Sequence, residues 1–427
     1  MTQTRPFRAV RFDVDRVDLG RVIVPPYDVI AADEREGFFE RDPHNAIRLE
    51  LTRDVADEAG TDYAFVGETF ERWQREGALL RDDVPGFYVM RQTFEAPSGE
   101  TLSRVGFFAE LGLADYDERV VRPHERTLAG PKADRLKILR AARANLSSVF
   151  LLYEDRGDEL GPVLERAFDR GSIADAKDEA GVHYALARLT DREDCARIEA
   201  FMADRPTVIA DGHHRYETAL AYRDERRDER RAEHGGDAGA AESTLAYFAN
   251  AWAPGSLLLP IHRVVVDVAP PADLAGWLAA LPGWQGRTVA MPGIDAAAGV
   301  LAEHLAPLAG RPAFAADDGG GSLHLLWREE PLGEALMVRV LESDVIGRMF
   351  GLSAEAIRDG AVRFPKSAAR AAREVREGQG TVALYLNALS PDDVFRVTER
   401  GEVMPQKSTY FYPKLATGLV INPLYAV

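Results

Sequence analysis

The sequence predicts a mixed α+β fold with more than one sheet, and three observations indicate it. Strand-like and helix-like segments interleave without the regular βαβ period of a doubly wound sheet. Two apolar runs, 87–94 and 104–111, flank a Pro-Ser-Gly turn in the pattern of an antiparallel hairpin. The chain of 427 residues, 46% of them hydrophobic, is long enough for two or three domains with buried cores.

The individual elements follow from apolar periodicity. Short runs of alternating or continuous apolar residues predict strands at 7–12, 21–24, 47–51, 87–94, 104–111, 149–153, 183–189, 207–210, 245–251, 257–268 and 382–389. Helical spacing predicts helices at 32–41, 61–76, 160–169, 192–202, 353–358 and 366–376. Two further helices are expected to begin near Pro131 and His214, and residues 317–322 predict a hairpin turn.

Composition divides the chain into four segments. We expect an N-terminal α/β segment, a core, an Ala/Pro/Gly-rich subdomain and a C-terminal α/β segment, at 1–85, 86–268, 269–335 and 336–427. The sequence contains no internal repeat, so a repeat architecture is not expected.

Charge and cysteine content narrow the classes of function. The formal net charge is −17, so the surface as a whole repels nucleic acid and such a partner is disfavoured. The single cysteine, Cys195, excludes an internal disulfide framework. No window approaches about 18 uninterrupted apolar residues, and the first residues lack the apolar core of a secretory signal. These features predict a cytoplasmic protein without membrane spans.

The most informative functional pattern lies where a predicted strand turns into a helix, at Asp211, Gly212, His213, His214 and Arg215. Glycine permits a tight turn and close approach of a ligand, and the first N–H groups of a helix attract anions. The histidines and the arginine add donors, and Asp211 could hold Mg²⁺, so the segment predicts a phosphate-binding loop. Two alternatives stay open: a helix cap with partly buried histidines, or a metal site.

A polar segment that leads into a predicted helix adds candidate ligands. Only six of the 52 basic residues are lysines, so each lysine is a candidate for a phosphate contact. His124, Glu125, Lys132 and Arg135 precede or begin a predicted helix. The alternative for this group is a polar loop with capping side chains.

The two ends of the chain contribute the remaining candidates. In the C-terminal tail, Lys407, Ser408 and Thr409 place a lysine beside two hydroxyls, without the GxxxxG that a P-loop requires. Near the N-terminus, Asp28 and Glu50 are carboxylates in polar turns or strands. Each group is weak when taken alone, and turn formation or core packing would also explain it.

Six blocks of the sequence resemble, in order, the DUF1015 family: PPYDVI, HNAIRLE, PHERT with PKADRLKILR, VIADGHHRYETAL, LPIHRVV and MPQKSTYFYPKLATGLVI. The DGHHR block is similar to the phosphate-binding motif of the ParB/sulfiredoxin superfamily. That superfamily includes ParB proteins that bind CTP, sulfiredoxins that use ATP, and free-serine kinases. The resemblance implies a ParB/sulfiredoxin-like core in the second segment and a further α/β region.

The resemblance also implies a nucleotide-dependent phosphotransferase that acts on a small hydroxyl metabolite, with free L-serine the leading acceptor by analogy. ATP, ADP or CTP would be the nucleotide, with Mg²⁺. The loop at 211–215 would hold the phosphates, and Lys132, Arg135 and Lys407 would supply further cations. Asp28, Glu50 and Glu125 are open alternatives for the carboxylate that accepts the hydroxyl proton.

A non-catalytic ParB-like nucleotide-binding regulator is the alternative function. The sequence lacks an evident ParB-type DNA-binding helical domain, which argues against chromosome partitioning. It also has histidines where sulfiredoxin has its reactive cysteine, which argues against cysteine-based repair. The oligomeric state is left open by the sequence.

Overall fold

The computed structural model describes residues 2–51, 63–127, 129–233, 239–269, 273–331 and 333–425. Within them the chain has the mixed α+β fold that the sequence predicts. It divides into two units. Unit 1 comprises Met1–Leu257, Phe395–Val403 and Pro413–Val427, and unit 2 comprises Leu258–Val394 and Met404–Tyr412. The predicted division into four segments is finer and stays a prediction.

The strands range from two to 12 residues. They are β1 (Thr4–Arg5), β2 (Val10–Phe12), β3 (Leu79–Arg81), β4 (Phe87–Glu95), β5 (Thr101–Gly112), β6 (Val121–Arg122), β7 (Ala144–Asn145), β8 (Val149–Tyr153), β9 (Ala174–Lys177), β10 (His183–Leu189), β11 (Thr207–Asp211), β12 (Ser243–Asn250), β13 (Leu257–Leu259), β14 (Arg263–Val265), β15 (Gln285–Ala290), β16 (Ala313–Asp317), β17 (Ser322–Trp327), β18 (Val362–Arg363), β19 (Val382–Leu386), β20 (Tyr410–Tyr412) and β21 (Asn422–Pro423).

The helices range from single turns to 21 residues. The α-helices are α1 (Leu19–Val22), α2 (Arg35–Arg41), α3 (Ile47–Glu50), α4 (Ala64–Glu76), α5 (Ala129–Ala142), α6 (Gly161–Glu165), α7 (Arg192–Ala203), α8 (His213–Glu233), α9 (Leu274–Ala279), α10 (Ala297–His304), α11 (Met337–Val340), α12 (Arg348–Phe350), α13 (Ala354–Ala356), α14 (Ala368–Arg376) and α15 (Pro391–Glu399). Short 3₁₀ segments lie at Tyr27–Val29, Tyr116–Glu118, Arg166–Arg170, Gly239–Glu242 and Ala306–Leu308, and π-helical turns at Leu341–Gly347 and Ile357–Ala361. Over the part of the chain described, no helix combines the length and apolar character needed to cross a bilayer.

Unit 1 is built on a nine-stranded mixed sheet with the strand order β6-β11-β8-β12-β5-β4-β10-β9, in which β1 pairs with β5. Strand β11 is parallel to β6 and antiparallel to β8, and β12 is parallel to β8. All five residues of β8 are buried, which agrees with their continuous apolar sequence. Phe107 and Phe248 stack at 5.1 Å between ring centroids in the core. The sheet thereby fixes β11, whose carboxyl end leads into α8.

Unit 2 contains a six-stranded antiparallel sheet with the order β15-β17-β16-β19-β14-β18. Helices α10 and α14 contribute Ala297, Leu301, Ala371 and Ala372 to its buried core. The predicted hairpin turn at 317–322 is confirmed, since β16 and β17 pair on either side of it.

Most predicted strands are confirmed, those at 149–153 and 183–189 to the residue. The strand predicted at 47–51 is wrong, because Ile47–Glu50 forms the helical turn α3. The side-chain oxygen of Asn45 accepts the Ile47 N–H at 3.0 Å, and the Leu51 N–H donates to the Ile47 oxygen at 2.8 Å. These local hydrogen bonds therefore outweigh the strand preference that the alternation of apolar and polar residues indicates.

The strand predicted at 21–24 is also wrong over its first half. Residues Leu19–Val22 form α1, and the Asp18 side chain caps this turn by accepting the Gly20 N–H at 3.0 Å. Val24 then makes only an isolated bridge with Thr417. As at α3, a short polar side chain at the start of the segment selects a helical turn.

Candidate functional site

The candidate site lies at the turn from β11 into α8. Gly212 has a φ of +90°, and a Cβ atom there would come within 2.9 Å of the Arg215 Nε. The Tyr216 N–H donates the first bond of the helix, to the Gly212 oxygen at 3.0 Å. The N–H groups of the three preceding residues therefore have no acceptor inside the helix, and 21 residues of aligned peptide dipoles lie behind them. Such a helix start attracts anions.

Asp211 closes one side of this turn with two cations. Its Oδ1 accepts from the Nζ of Lys414, and its Oδ2 accepts from the Arg215 Nη2 at 2.6 Å. Burial by itself would raise the pKa of Asp211, but Lys414 and then Arg215 outweigh it and hold the pKa well below its usual range. Both oxygens of this carboxylate are thus engaged by cations, and the Mg²⁺ role that the sequence suggested for it stays a prediction.

Lys414, Glu217 and Asp134 are residues of the site that the sequence did not predict, and Lys414 is the most distant of them in the chain. It lies 203 positions from Asp211 and its side chain is 17% exposed. Lysine is scarce in this chain, and Lys414 lies in the tail block that carries the family resemblance. Both features could have indicated it, but the sequence patterns predicted Lys407 as the lysine of the tail.

Arg215 is held by the protein. Its Nη1 donates to the Ser148 main-chain oxygen, its Nη2 donates to Asp211, and its Nε lies against Gly212. The side chain is only 12% exposed. In this geometry Arg215 fixes the shape of the turn, and its direct contact with a phosphate stays a prediction.

His124 and His213 form a buried pair beneath the turn, with ring centroids 4.6 Å apart and planes at 76°. The His124 main-chain N–H donates to the His213 Nε2 at 3.3 Å, so a neutral His213 carries its proton on Nδ1. That Nδ1 lies 3.7 Å from the Glu125 Oε1, and the His124 Nδ1 contacts the Ile209 oxygen. Burial lowers the pKa of both imidazoles, so both are neutral at pH 7.

Glu50 and Arg135 form a buried ion pair that also involves Asp134. Arg135 donates to the Glu50 Oε2 at 3.0 Å, to the Glu50 main-chain oxygen at 2.7 Å and to the Asp134 Oδ2 at 2.9 Å. The Tyr27 ring covers the guanidinium at 4.0 Å, and burial raises the pKa of Tyr27 to about 12. Burial would lower the pKa of Arg135, but the two carboxylates raise it. Glu50 thus balances a buried charge, and its action as a base stays a prediction.

A more exposed group of polar side chains lies around the first turn of α8. The Glu217 Oε2 accepts from the Lys132 Nζ at 2.8 Å and from the Thr127 Oγ1 at 2.7 Å. Lys132 is 38% exposed and Glu217 is 22% exposed. Lys132, predicted as a phosphate contact, is therefore bound to a carboxylate at the mouth of the site.

His214 lies next to this carboxylate, with two further acidic groups nearby. Burial lowers the pKa of His214, whereas the charges of Glu217, then Glu125 and Asp28, raise it. Asp28 is exposed on the 3₁₀ turn after Pro26, and the Glu125 side chain is 34% exposed. The structure therefore brings Asp28 and Glu125 near His214, and the third predicted carboxylate, Glu50, lines a small cavity together with Arg215.

These residues form two clusters. The inner cluster consists of Glu50, Asp134, Arg135, Asp211, Arg215 and Lys414. The outer cluster consists of Asp28, Glu125, Lys132, His214 and Glu217. Inner side chains are 3% to 17% exposed and each belongs to an ion pair, whereas the Glu125, Lys132 and Glu217 side chains of the outer cluster are 22% to 38% exposed.

The tail residues Lys407, Ser408 and Thr409 belong to unit 2. Lys407 has a φ of +57°, and the Ser408 Oγ donates to the Pro405 oxygen at 2.5 Å. Their predicted contact with phosphate stays a prediction. Among the residues that the structure describes, no group of three or more His, Cys, Asp or Glu side chains is placed to hold a metal ion.

Fold and site together define a mixed α+β protein in which a glycine turn joins a strand to a long helix. The chain belongs to the DUF1015 family, described as a protein of unknown function, whose model matches residues 4–282. This confirms the family that the six sequence blocks indicated. No curated protein matches the sequence.

Several solved structures resemble the chain at low identity. A free serine kinase in complex with AMP is 15% identical, with a TM-score of 0.33 over 74% of this chain and 92% of that chain. A conserved hypothetical protein from Pyrococcus furiosus is 14% identical, with a TM-score of 0.31 over 74% and 95%. C-terminally truncated SbnI from Staphylococcus aureus is 11% identical, with a TM-score of 0.32 over 73% and 86%. Similarity at this level carries no argument about substrate or ligand.

Proposed function

We propose that unit 1 binds the phosphates of a nucleotide at the start of α8 and transfers a phosphoryl group to a small hydroxyl metabolite. The observation that carries the proposal is the convergence of the outer cluster on the first turn of a long helix. A lysine, an imidazole and three carboxylates meet there beside N–H groups that have no helical acceptor. Phosphoryl transfer depends on positioning and charge neutralisation, which such a site supplies.

In this proposal Lys132 and His214 bind phosphate oxygens together with the helix N–H groups. Lys132 is exposed enough to turn from Glu217 towards a phosphate, which is the stronger competitor because of its greater charge. The inner cluster does not contact the phosphate in this proposal. Asp211, Lys414 and Arg215 instead hold the Gly212 turn in the shape that directs the N–H groups at the phosphate.

Glu125 is our choice for the group that accepts the hydroxyl proton. The acceptor oxygen attacks the terminal phosphorus, the bond to the leaving nucleotide oxygen breaks, and the proton passes to the Glu125 carboxylate. The Nδ1 of the neutral His213 lies 3.7 Å from that carboxylate, just beyond hydrogen-bonding distance. Glu50 is less suited, since Arg135 already neutralises it inside the protein. Asp28 is the remaining alternative.

ATP, ADP and CTP are the nucleotides to test, and free L-serine is the first acceptor because of the family resemblance. Mg²⁺ is commonly held by one or two carboxylates together with substrate phosphates, and it neutralises charge on them. Since Asp211 is engaged by two cations and Glu125 is assigned as the base, Glu217 is the carboxylate that would hold it together with the phosphates.

The test is incubation of the full chain with each nucleotide and a panel of hydroxyl compounds that includes L-serine. We expect a phosphorylated product, and we expect Glu125→Gln to lower kcat by about 10²- to 10⁴-fold while nucleotide affinity is kept. Glu193→Gln is the matched control, because Glu193 is an exposed carboxylate of α7 that pairs with Arg197. Equal activity of Glu125→Gln and the wild type would contradict the assignment of the base.

A nucleotide-binding regulator without catalysis is the second candidate. The bridge between Lys132 and Glu217 favours it, because a phosphate that takes the lysine must break this bridge and so link occupancy to local structure. Nucleotide at about 100-fold over its Kd stabilises the protein by about 2.7 kcal/mol. Such a shift without product identifies the regulator, and the absence of both shift and product contradicts both functions.

A further inference from the structure

A cavity lined by both charged and apolar side chains opens in unit 1 at the opposite end of β11 from Asp211. Its volume is about 420 Å³, within the range of small-molecule sites. Pro206, the residue before β11, lines it together with Arg122, Arg205 and Phe395. We propose that this cavity binds a small organic anion, with its carboxylate or phosphate group on Arg122 and Arg205 and its apolar part on Phe395.

The sheet brings the two arginines together. Strand β6 runs parallel to β11, and Arg122 is the register partner of Val208. Arg205 lies two positions before the first residue of β11, so it is near the same, amino-terminal end of this strand. With a rise of about 3.3 Å per residue, the amino-terminal end of β11 lies about 15 Å from the turn at Gly212, roughly the length of the strand. The cavity is therefore distinct from the outer cluster.

Both guanidinium groups retain donors for a ligand. The Arg122 Nε donates to the Arg119 oxygen at 3.3 Å, and the Arg205 Nη1 donates to the Phe201 oxygen at 2.8 Å. Arg205 also lies 3.6 Å over the Phe201 ring, which holds its plane in place. In the described part of the chain neither arginine forms an ion pair, whereas the partly buried Arg11 pairs with Asp82.

The electrostatic surroundings of Arg122 also favour an anionic ligand. Burial lowers the pKa of Arg122, the charge of Glu399 raises it, and Arg119 lowers it. A guanidinium that is partly removed from water without a bound carboxylate gains most from an anion that accepts two hydrogen bonds. A carboxylate or phosphate group on a ligand has this geometry.

The acidic residues of the wall do not occupy the arginines. Asp155 accepts the N–H groups of Glu159 and Leu160, each at 2.9 Å, and so caps its own loop. Glu154 accepts from the Arg156 Nε at 2.7 Å. The side chains of Glu159 and Glu399 are exposed, which favours a ligand with a single anionic group over a polyanion.

An aromatic face supplies the apolar part of the proposed site. Phe395 packs on Trp252 with ring centroids 4.9 Å apart, and the Arg156 guanidinium covers Trp252 at 4.3 Å. These contacts keep the Phe395 ring in place at the wall of the cavity. A ligand with an aromatic or aliphatic body next to its anionic group matches this combination.

The test is calorimetric titration of the full chain with benzoate and with phenyl phosphate, which separate a carboxylate from a phosphate preference. We expect at least one to bind, and the double variant Arg122→Gln/Arg205→Gln to raise its Kd at least tenfold. Arg197→Gln, on the exposed face of α7, is the control and should bind as the wild type does. Lys132→Ala should also leave this binding unchanged, which separates the cavity from the outer cluster.

Three outcomes would overturn the proposal: no binding of either probe, a double variant that binds as well as the wild type, or binding that Lys132→Ala abolishes. If the double variant does not fold, Arg205→Lys replaces it. That variant keeps the charge and loses the fork of donors, so a severalfold weaker affinity supports the site and an unchanged affinity contradicts it.

Discussion

The inner and outer clusters of unit 1 contain the same kinds of side chain and differ in what those side chains contact. In the inner cluster Asp211 is bound by Lys414 and Arg215, and Glu50 is bound by Arg135. In the outer cluster the Lys132–Glu217 bridge is half-buried, with side chains 38% and 22% exposed. The charged residues around this turn are therefore of two kinds: some stabilise the turn, and others are accessible enough to contact a ligand.

This difference sets the expected effects of substitution. Buried, mutually paired charges are costly to break, because the partner left behind has neither water nor a counter-ion. Exposed pairs contribute little to stability, since water replaces the lost partner. Inner substitutions should therefore change the free energy of unfolding, and outer substitutions should change ligand binding.

The largest effect is expected from Arg135→Ala. The change leaves Glu50 and Asp134 buried without their shared cation and removes the contact with Tyr27. The free energy of unfolding should fall by about 3–5 kcal/mol, measured by urea denaturation. Arg197→Ala, which removes an exposed pair with Glu193, should change it by less than about 1 kcal/mol. Similar losses in the two variants would remove the distinction between buried and exposed charges.

An intermediate effect is expected from pH, through the buried histidines. Their folded-state pKa values lie below the unfolded value of about 6.5, so the unfolded chain binds more protons as pH falls. The stabilisation from a neutral His213 is thus fully present above about pH 6.5 and is lost as pH falls below it. Each such histidine contributes a slope of up to about 1.4 kcal/mol per pH unit.

The measurement compares urea denaturation of the wild type and His213→Gln between pH 7.5 and pH 5.5. The variant lacks one titrating imidazole, so its free energy of unfolding should depend less on pH over this interval. Parallel pH profiles for the two proteins would show that His213 is not kept neutral by burial.

The smallest effect on stability is expected from Lys132→Ala, in the outer cluster. Its bridge to Glu217 is half-buried and water reaches both side chains, so the free energy of unfolding should change by only about 1 kcal/mol. If Lys132 binds a phosphate, the nucleotide Kd should rise about tenfold or more, as for loss of a charge-assisted hydrogen bond. Lys177→Ala, on an exposed position of β9, is the matched control for both measurements. A large loss of stability with unchanged affinity would place Lys132 with the inner cluster.

Local patterns predicted much of the secondary structure and the place of the site. The continuous apolar run at 149–153 became β8, and the glycine between a strand and a helix became the turn at Gly212. The prediction failed at 47–51, where alternation indicates a strand but the Asn45 side chain caps a helical turn. Periodicity describes the faces of an element, whereas a capping hydrogen bond depends on a single side chain.

By itself the sequence determined the mixed α+β class, the strand–glycine–helix turn and the family, because these depend on residues close together in the chain. Only the tertiary structure decided which charges are engaged. Lys414 reaches Asp211 across 203 positions, and Arg135 reaches Glu50 across 85. Burial and ion pairing depend on such distant contacts, and they determine whether a polar side chain supports the fold or faces a ligand.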